Sequence, residues 1–154
     1  LFRSLGFAFS RRGTRMTITI DGVTIRQRVL AVVVSNAQYY GGAYCLAPGA
    51  RLDDGLLDVT IFKGRDGLDT LRRIGAVMAG RHVGTPGIEA YQARHVQVRA
   101  EEVLPAQLDG DPVDRTPVDV WVDPGALRVV VPAASADLFT RSPIERTVAR
   151  GALD

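Results

Sequence analysis

Carboxylates are the side chains of this sequence that could do chemistry in quantity, and they gather in two turns. The first turn spans residues 52–58 (LDDGLLD) and the second spans residues 107–111 (QLDGD). Oxygen groups of this kind suit Mg²⁺, which takes one or two carboxylates together with carbonyls and water, and one carboxylate could instead act as a general base. Asp-Gly is also a common turn dipeptide, because aspartate side chains cap turns. The spacing alone leaves the catalytic and the purely structural interpretation open.

Other catalytic chemistry has little support in the sequence. His82 and His95 have no HExxH or paired spacing, so we expect both at the surface rather than on a metal ion. There is no Gly-x-Ser-x-Gly elbow, and Cys45 lacks a local catalytic signature. No Gly-rich phosphate loop with the spacing of a nucleotide site is present either. A complete nucleotide site is therefore not visible in this chain.

Composition predicts one folded domain. The 154 residues are 46% apolar and 23% charged, which disfavours disorder, collagen and coiled coil. The 19 basic and 17 acidic residues leave a net charge of +2, and the arginines are scattered without interleaved aromatic residues, so we expect no nucleic-acid partner. No segment approaches the roughly 20 apolar residues of a membrane span. The single Cys45 and the absence of a signal peptide favour a reducing, cytoplasmic setting.

Alternating apolar residues predict a β-hairpin near the start of the domain. Apolar residues alternate with threonines before Asp21-Gly22, and the alternation resumes after it. An Asp-Gly pair supplies the positive φ angles of a type I′ turn. A two-residue loop would place Ile20 opposite Val23 and Ile18 opposite Ile25.

The remaining pattern predicts short strands around one helix. Residues 29–34 form a continuous apolar run, which we expect to be covered on both faces. Residues 35–55 should be an irregular, partly exposed loop, with Tyr39 and Tyr40 packed at a sheet edge rather than binding a ring. Further strands are predicted over residues 58–63, 95–100, 104–109, 118–123 and 127–131, and a helix over residues 68–78 that closes near Gly80. Without βαβ alternation, this predicts a mainly β protein, an antiparallel sandwich or open barrel with one main helix.

The two ends of the chain are set apart from this domain. Residues 1–13 predict a short linker helix, and residues 14–132 form the predicted β domain. Residues 133–154 form a tail in which Ser-Pro-Ile-Glu at 142–145 is a capping box that should begin a short helix. Since Leu1 stands where an initiator methionine would, we expect the chain to be part of a longer protein.

The order of the motifs resembles the C-terminal domain of the diacylglycerol kinase-like lipid kinases, a family that includes bacterial diacylglycerol kinases and sphingosine kinases. The motifs are residues 35–42 (SNAQYYGG), 47–59 (APGARLDDGLLDV), 80–83 (GRHV) and 104–112 (LPAQLDGDP). The resemblance covers roughly residues 14–131. It implies a β-sandwich that is the second domain of a two-domain kinase. The α/β nucleotide domain of that family, with its Gly-Gly-Asp-Gly-Thr motif, is absent from this chain.

The resemblance also implies an activity and partners. The family transfers the γ-phosphoryl group of ATP to a lipid hydroxyl, diacylglycerol-like or sphingoid, with Mg²⁺ as cofactor. ATP would be bound mainly by the missing N-terminal nucleotide-binding domain, so this chain alone should be inactive. The implied partners are the lipid substrate, that domain and the membrane surface, on which the protein would be peripheral. A homodimer could form through the face left open. The alternative is a non-catalytic β-sandwich module that binds a lipid or a protein.

The resemblance also implies roles for individual residues of this sequence. The magnesium site of the family matches the backbone carbonyls of Arg51 and Leu56 and the carboxylate of Asp54. The family's general base lies in an Asp-Gly-Glu motif, and here Asp111 stands where the glutamate is usual. An aspartate is one methylene shorter, and a misplacement of about 1 Å can lower a rate on the order of 10²-fold. Asp109 is therefore the second candidate for the base.

Overall fold

The computed structural model describes residues 13–40, 44–64, 67–78, 80–82, 84–130 and 132. The predicted linker helix before Gly13 and the predicted helix of the tail lie outside the described residues. The elements in chain order are β1 (Thr14–Ile20), β2 (Val23–Ser35), β3 (Tyr39–Tyr40), β4 (Tyr44–Cys45), β5 (Leu57–Lys63), α1 (Gly67–Met78), β6 (Ile88–Ala93), β7 (His95–Ala100), β8 (Pro105–Leu108), β9 (Asp111–Arg115) and β10 (Val118–Trp121).

Antiparallel pairing organises all three sheets of the described chain. The large sheet has six strands in the order β10-β7-β1-β2-β5-β6, and β3-β4 and β8-β9 form two separate two-stranded sheets. Every strand pair is antiparallel. Together with α1, the helix of the described residues, this confirms the prediction of a mainly β, antiparallel domain.

The β1–β2 hairpin has the predicted register, with Ile20 opposite Val23 and Ile18 opposite Ile25. Asp21 and Gly22 have φ angles of 46° and 87°, as a two-residue primed turn requires. The Asp21 carboxylate also accepts hydrogen bonds from the backbone N–H groups of Arg94 at 2.9 Å and His95 at 2.8 Å. The turn residue therefore fastens the hairpin to the start of β7.

The hydrophobic core lies on one face of the six-stranded sheet, here called the inner face. Successive residues of a strand point to opposite faces, and along β1 and β7 buried residues alternate with residues that are not buried. On β5, residues 59–62 are buried in succession, so both faces of that strand are covered. The buried core residues are Met16, Ile18, Ile20, Val29, Val59, Ile61, Ala93, Val96 and Val98. The residues between them define the outer face. On β1 the outer face carries Arg15, Thr17 and Thr19, and Arg15 is exposed.

The apolar run of β2 is covered on both faces only in part. The register of β2 with β5 shifts between Val29 and Ala31, which marks a bulge. Val29 is buried before the bulge and Ala31 is exposed, whereas Val32 and Val34 pack against the core after it. The bulge resets the alternation, so a continuous apolar run supplies the inner face on both sides of the bulge without needing complete cover on the outer face.

One predicted strand is absent from the structure. Residues 127–130 are not in a strand, and Leu127 is 79% and Val130 is 99% exposed. The chain turns after the edge strand β10, where the N–H of Ala126 bonds to the carbonyl of Asp123 at 3.3 Å, so residues 127–130 do not extend the ladder. Conversely, four strands of the described residues were not predicted, namely β3, β4, β6 and β9. In β6 the sequence IEAYQA does not alternate regularly between apolar and polar residues.

The helix α1 ends as predicted near Gly80, whose φ angle is 64°. The N–H of Arg81 bonds to the carbonyl of Ala76 at 2.9 Å, and that of Gly80 bonds to Val77 at 3.0 Å. This pair of bonds is a Schellman motif, in which glycine tolerates the left-handed residue after the helix. Within the described residues no helix has the length and apolar character needed to cross a membrane.

A polar cluster occupies one edge of the inner face. Glu89 accepts a hydrogen bond from the Gln27 amide at 3.0 Å and forms an ion pair with Lys63. Burial acts to raise the pKa of Glu89, but the hydrogen bonds and charge of Lys63, with the bond from Gln27, outweigh it and hold that pKa below its usual range. Burial and the neighbouring Glu89 charge raise the pKa of Tyr91. The cluster therefore favours the ionised form of Glu89.

We expect this cluster to make stability depend on pH in the acid range. Because the folded pKa of Glu89 is lowered, the unfolded chain binds more protons, and the stabilisation is lost as the pH falls through that lowered pKa. It is fully present above the ordinary pKa of glutamate, about 4.3. Urea unfolding should find Glu89→Gln less stable than the parent chain at neutral pH, with a difference that shrinks under acid. Glu102→Gln, at an exposed position, is the control; equal pH dependence in both variants would contradict the assignment.

Candidate functional site

The aspartate turn, residues 51–56, lies immediately before β5. Asp54 Oδ1 accepts a hydrogen bond from the N–H of Leu56 at 2.9 Å, which closes the turn. Gly55 has a φ angle of 67°, and a Cβ built on it would lie 3.3 Å from the Cγ of Pro124. Glycine therefore fits both the backbone conformation and the close approach of the segment after β10. The buried Leu57 that follows anchors the turn to the sheet.

The second oxygen of Asp54 is the unusual feature of this turn. Asp54 Oδ2 is buried and has no hydrogen-bond partner among the residues that the structure describes. A buried carboxylate oxygen without a partner is costly, and such oxygens in native proteins commonly face a water or an ion. The neighbouring Asp53 is different, because Arg51 binds both of its oxygens, at 3.2 and 3.3 Å. The hydrogen bond to Asp53 raises the pKa of Arg51.

The donor set of the turn fits Mg²⁺ and fits softer metals poorly. Among the residues that the structure describes, no group of three or more His, Cys, Asp or Glu side chains could hold a metal ion. A cation here would depend on the one free oxygen of Asp54, on backbone carbonyls and on water. Mg²⁺ is the ion that keeps several waters and accepts one or two carboxylates. Arg51, Asp54 and Leu56 lie in this one turn, and their role as magnesium ligands stays a prediction.

The segment that precedes the aspartate turn, residues 46–50, is partly buried and is bonded to other parts of the chain. Ala47 and Ala50 are buried, and the amide of Gln38 donates to the carbonyl of Ala50 at 3.3 Å. His82, only 1% exposed, bonds through Nε2 to the carbonyl of Leu46 at 2.9 Å. The prediction of a surface position is therefore wrong for His82. Its burial depends on a contact 36 residues away in sequence, which local pattern does not reveal.

The second set of candidate carboxylates, Asp109 and Asp111, lies at the tip of the β8–β9 hairpin. Leu108 pairs with Asp111, and the two residues between them, Asp109 and Gly110, have φ angles of 51° and 101°. These angles are those of a primed two-residue turn. Asp109 therefore occupies the turn itself and Asp111 begins β9, and both are exposed. The hairpin presents two carboxylates to the outside of this domain.

Tyr40 connects this hairpin to the loop that begins at residue 35, here called the tyrosine loop. The side-chain amide of Gln107 donates to the Tyr40 hydroxyl at 3.2 Å. A Cβ built on Gly110 would lie 3.7 Å from the same hydroxyl. Tyr40 is exposed in the two-residue strand β3, which pairs with β4 in a sheet of its own and not with the six-stranded sheet. Local sequence pattern does not indicate this contact, since Tyr40 and Gln107 are 67 residues apart.

The predicted site residues thus fall into two groups on different elements. Arg51, Asp54 and Leu56 share the turn before β5 of the six-stranded sheet, whereas Asp109 and Asp111 share the tip of a separate two-stranded sheet. The first group offers a buried, unpaired carboxylate oxygen, and the second offers exposed carboxylates. A buried carboxylate oxygen suits the binding of a cation. An exposed carboxylate suits a general base, because a substrate bound on another surface can reach it.

Comparison with known proteins identifies relatives of this chain. Residues 8–131 match the family described as the YegS C-terminal NAD kinase β-sandwich-like domain. A protein of Pseudomonas aeruginosa named "probable lipid kinase YegS-like" is 37% identical over 110 residues, which are 69% of this chain and 34% of that protein. The diacylglycerol kinase of Bacillus subtilis is 28% identical over 102 residues, 66% of this chain and 34% of that protein.

Solved structures carry the same fold. A diacylglycerol kinase from Bacillus anthracis superposes with a TM-score of 0.59 at 22% identity, covering 78% of this chain and 43% of that one. The chain spans about a third of the length of the two curated relatives named above, 34% of each. The match confirms the resemblance drawn from the motifs.

Proposed function

Because the chain belongs to the family of YegS C-terminal NAD kinase β-sandwich-like domains, we propose that it is the C-terminal domain of an ATP-dependent lipid kinase and takes part in its catalysis. The reaction is transfer of the γ-phosphoryl group to the hydroxyl of a diacylglycerol-like or sphingoid lipid. The chain requires an N-terminal nucleotide-binding domain, which holds most of the ATP, and is inactive without it. The observation that carries the proposal is the buried, unpartnered Oδ2 of Asp54 in the aspartate turn.

The aspartate turn is the part of this domain that would hold Mg²⁺. The ligands are the carboxylate of Asp54 and the backbone carbonyls of Arg51 and Leu56, with water completing the shell. When bound, the ion neutralises charge on the phosphate oxygens of ATP. The bond from the N–H of Leu56 to Oδ1 fixes the carboxylate, so that Oδ2 is held ready without reorganisation.

The β8–β9 hairpin supplies the general base in this proposal. Asp111 accepts the proton of the lipid hydroxyl as the oxygen attacks the γ-phosphorus, and the bond from that phosphorus to the β,γ-bridging oxygen breaks to release ADP. The exposed position of Asp111 allows a lipid bound between two domains to reach it. Asp109, in the turn beside it, is the second candidate for this role. The contact between Gln107 and Tyr40 steadies the hairpin against the tyrosine loop.

The protein works at a membrane surface in this account, because its lipid substrate resides there while ATP is supplied from the cytoplasm. We propose a cytoplasmic, peripheral location. Apolar side chains left exposed in this chain offer surface for the N-terminal domain or for a second copy, which would give a homodimer. The strongest examples are Leu127, Val129 and Val130, which are 79%, 65% and 99% exposed.

A transfer assay on the two-domain protein tests the function. The protein is incubated with Mg²⁺, γ-labelled ATP and, separately, a diacylglycerol, a sphingoid base, a glycolipid and a long-chain polyprenol. We expect label in the organic phase with at least one of these lipids. Label found only as inorganic phosphate for every lipid would contradict a lipid kinase, and lipid binding without transfer would favour the non-catalytic module.

A further inference from the structure

The outer face of the six-stranded sheet gathers four arginines that are far apart in the sequence. Strand register places Arg15 opposite Arg28, and it places Thr17 between Arg26 on one neighbouring strand and Arg99 on the other. All four arginines are exposed. Directly opposed residues have Cβ atoms about 5 Å apart, and alternate residues of one strand are about 7 Å apart. These four side chains, here called the arginine face, therefore form one continuous surface.

Nearby carboxylates neutralise the arginine face only in part. Glu101 lies 3.8 Å from Arg15, and both side chains are mostly exposed. Asp119 lies opposite Gln97 on β7, two positions from Arg99. The side chains of His95 and Gln97 bond to its carboxylate, and these bonds and the charge of Arg99 hold the pKa of Asp119 below its usual range. Four guanidinium groups against these two carboxylates leave an excess of two positive charges.

Folding stability does not account for this arrangement. Like charges directly opposite each other on neighbouring strands are destabilising. A neighbouring directly opposed pair on the same face is neutral, with the hydroxyls of Thr19 and Thr24 in contact at 3.2 Å. One arginine has a bond within the chain, from Nη1 of Arg28 to the carbonyl of Gly13 at 2.7 Å. Arg15 opposite Arg28 therefore indicates an external anionic partner.

A tryptophan on the same face indicates which partner. Trp121 lies opposite His95 at the edge strand β10 and is 67% exposed. His95 and Arg99 are four positions apart along β7, a distance of about 13 Å. Tryptophan is enriched at the headgroup level of membranes, and arginines there are attracted to anionic lipids. Duplex nucleic acid would use the arginines without explaining the exposed indole.

We propose that the arginine face is the surface by which this domain binds bilayers that contain anionic phospholipids. The inference rests on the proposed function, because a lipid kinase must reach a substrate that lies in a membrane. Each basic residue held near an anionic membrane surface strengthens binding about fivefold, so the loss of two arginines should weaken binding about 25-fold.

Co-sedimentation of the 154-residue chain with vesicles tests this surface. The vesicles are phosphatidylcholine alone and phosphatidylcholine mixed with phosphatidylglycerol. Arg15→Gln/Arg28→Gln and Arg26→Gln/Arg99→Gln should each bind the mixed vesicles about 25-fold more weakly, and binding to phosphatidylcholine alone should be weak throughout.

Two further variants serve as controls. Arg15→Lys/Arg28→Lys keeps the charge and should retain binding, which separates lost charge from lost structure. Arg72→Gln/Arg81→Gln removes the same charge from exposed positions on and after α1, and it should bind close to the parent chain.

Four results would overturn the proposal. These are an equal loss in the Arg72/Arg81 variant, undiminished binding in both arginine-face variants, loss of binding in the lysine variant, and tighter binding to duplex DNA than to the mixed vesicles with the same arginine dependence.

Transfer from ATP to a short-chain, water-soluble lipid by the two-domain protein is measured in parallel. Intact transfer without vesicle binding would contradict this inference alone, and vesicle binding without transfer would contradict the proposed function alone.

Discussion

Asp111→Asn in the two-domain protein is expected to lower kcat by roughly 10² to 10⁴ while the affinity for ATP stays nearly unchanged, as the loss of a general base predicts. The substitution keeps the size of the side chain and removes its ability to take a proton. Asp111 is exposed at the first position of β9, so the hairpin should tolerate asparagine. Steady-state kinetics at saturating ATP and lipid measure the effect.

The neighbouring aspartate provides the matched control. Asp109 has a φ angle of 51°, and asparagine is among the residues that best accept this left-handed region, so Asp109→Asn should leave the turn intact. We expect a smaller loss of kcat in Asp109→Asn than in Asp111→Asn. If Asp109→Asn abolishes turnover and Asp111→Asn keeps it, the two roles are exchanged. If both variants stay active, neither residue is the base.

Asp54→Ala is expected to remove Mg²⁺ binding from this chain and to lower kcat/KM of the two-domain protein about 10²-fold or more, because the ion stabilises transferring phosphate charge by several kcal/mol. The physical reason lies in the free, buried Oδ2. One carboxylate with carbonyls and water makes a weak site, so calorimetry should find heat for the parent chain at high Mg²⁺ and none for the variant.

Asp53→Ala tests whether Mg²⁺ binding depends on Asp54 itself or on the number of negative charges in the turn. Asp53 precedes Asp54, carries the same charge and is bound by the side chain of Arg51. We expect Asp53→Ala to keep the Mg²⁺ heat and most of the activity. Identical titrations for the parent chain and Asp54→Ala, with heat in each, would place the ion elsewhere.

Local signals predicted the elements that depend on neighbouring residues. The β1–β2 register follows from Asp21-Gly22 together with alternating apolar residues, and α1 ends at a glycine that completes a Schellman motif. Both features are decided within a few residues. By contrast, β6 and the burial of His82 depend on distant parts of the chain, and the pattern within each segment is too weak to reveal them.

The sequence points to candidate site residues in two Asp-Gly turns, but it does not reveal the environments of those residues. Two Asp-Gly turns look alike in sequence, yet one holds a buried carboxylate oxygen and the other presents exposed carboxylates. The arginine face shows the same limit. Arg15 and Arg28 become neighbours through a hairpin register that the sequence specifies, but Arg99 joins them only through the pairing of β7 with β1, 82 positions away for Thr17 and Arg99.

The most direct test of the central claim compares turnover of the nucleotide-binding domain with and without this chain joined to it. Phosphorylated lipid and ADP are both quantified at saturating ATP, Mg²⁺ and lipid, so that a difference in lipid affinity cannot account for the outcome. We predict one phosphorylated lipid for each ADP in the two-domain protein and none from the nucleotide-binding domain alone. Equal kcat for lipid phosphorylation with and without this chain would contradict a catalytic role for it.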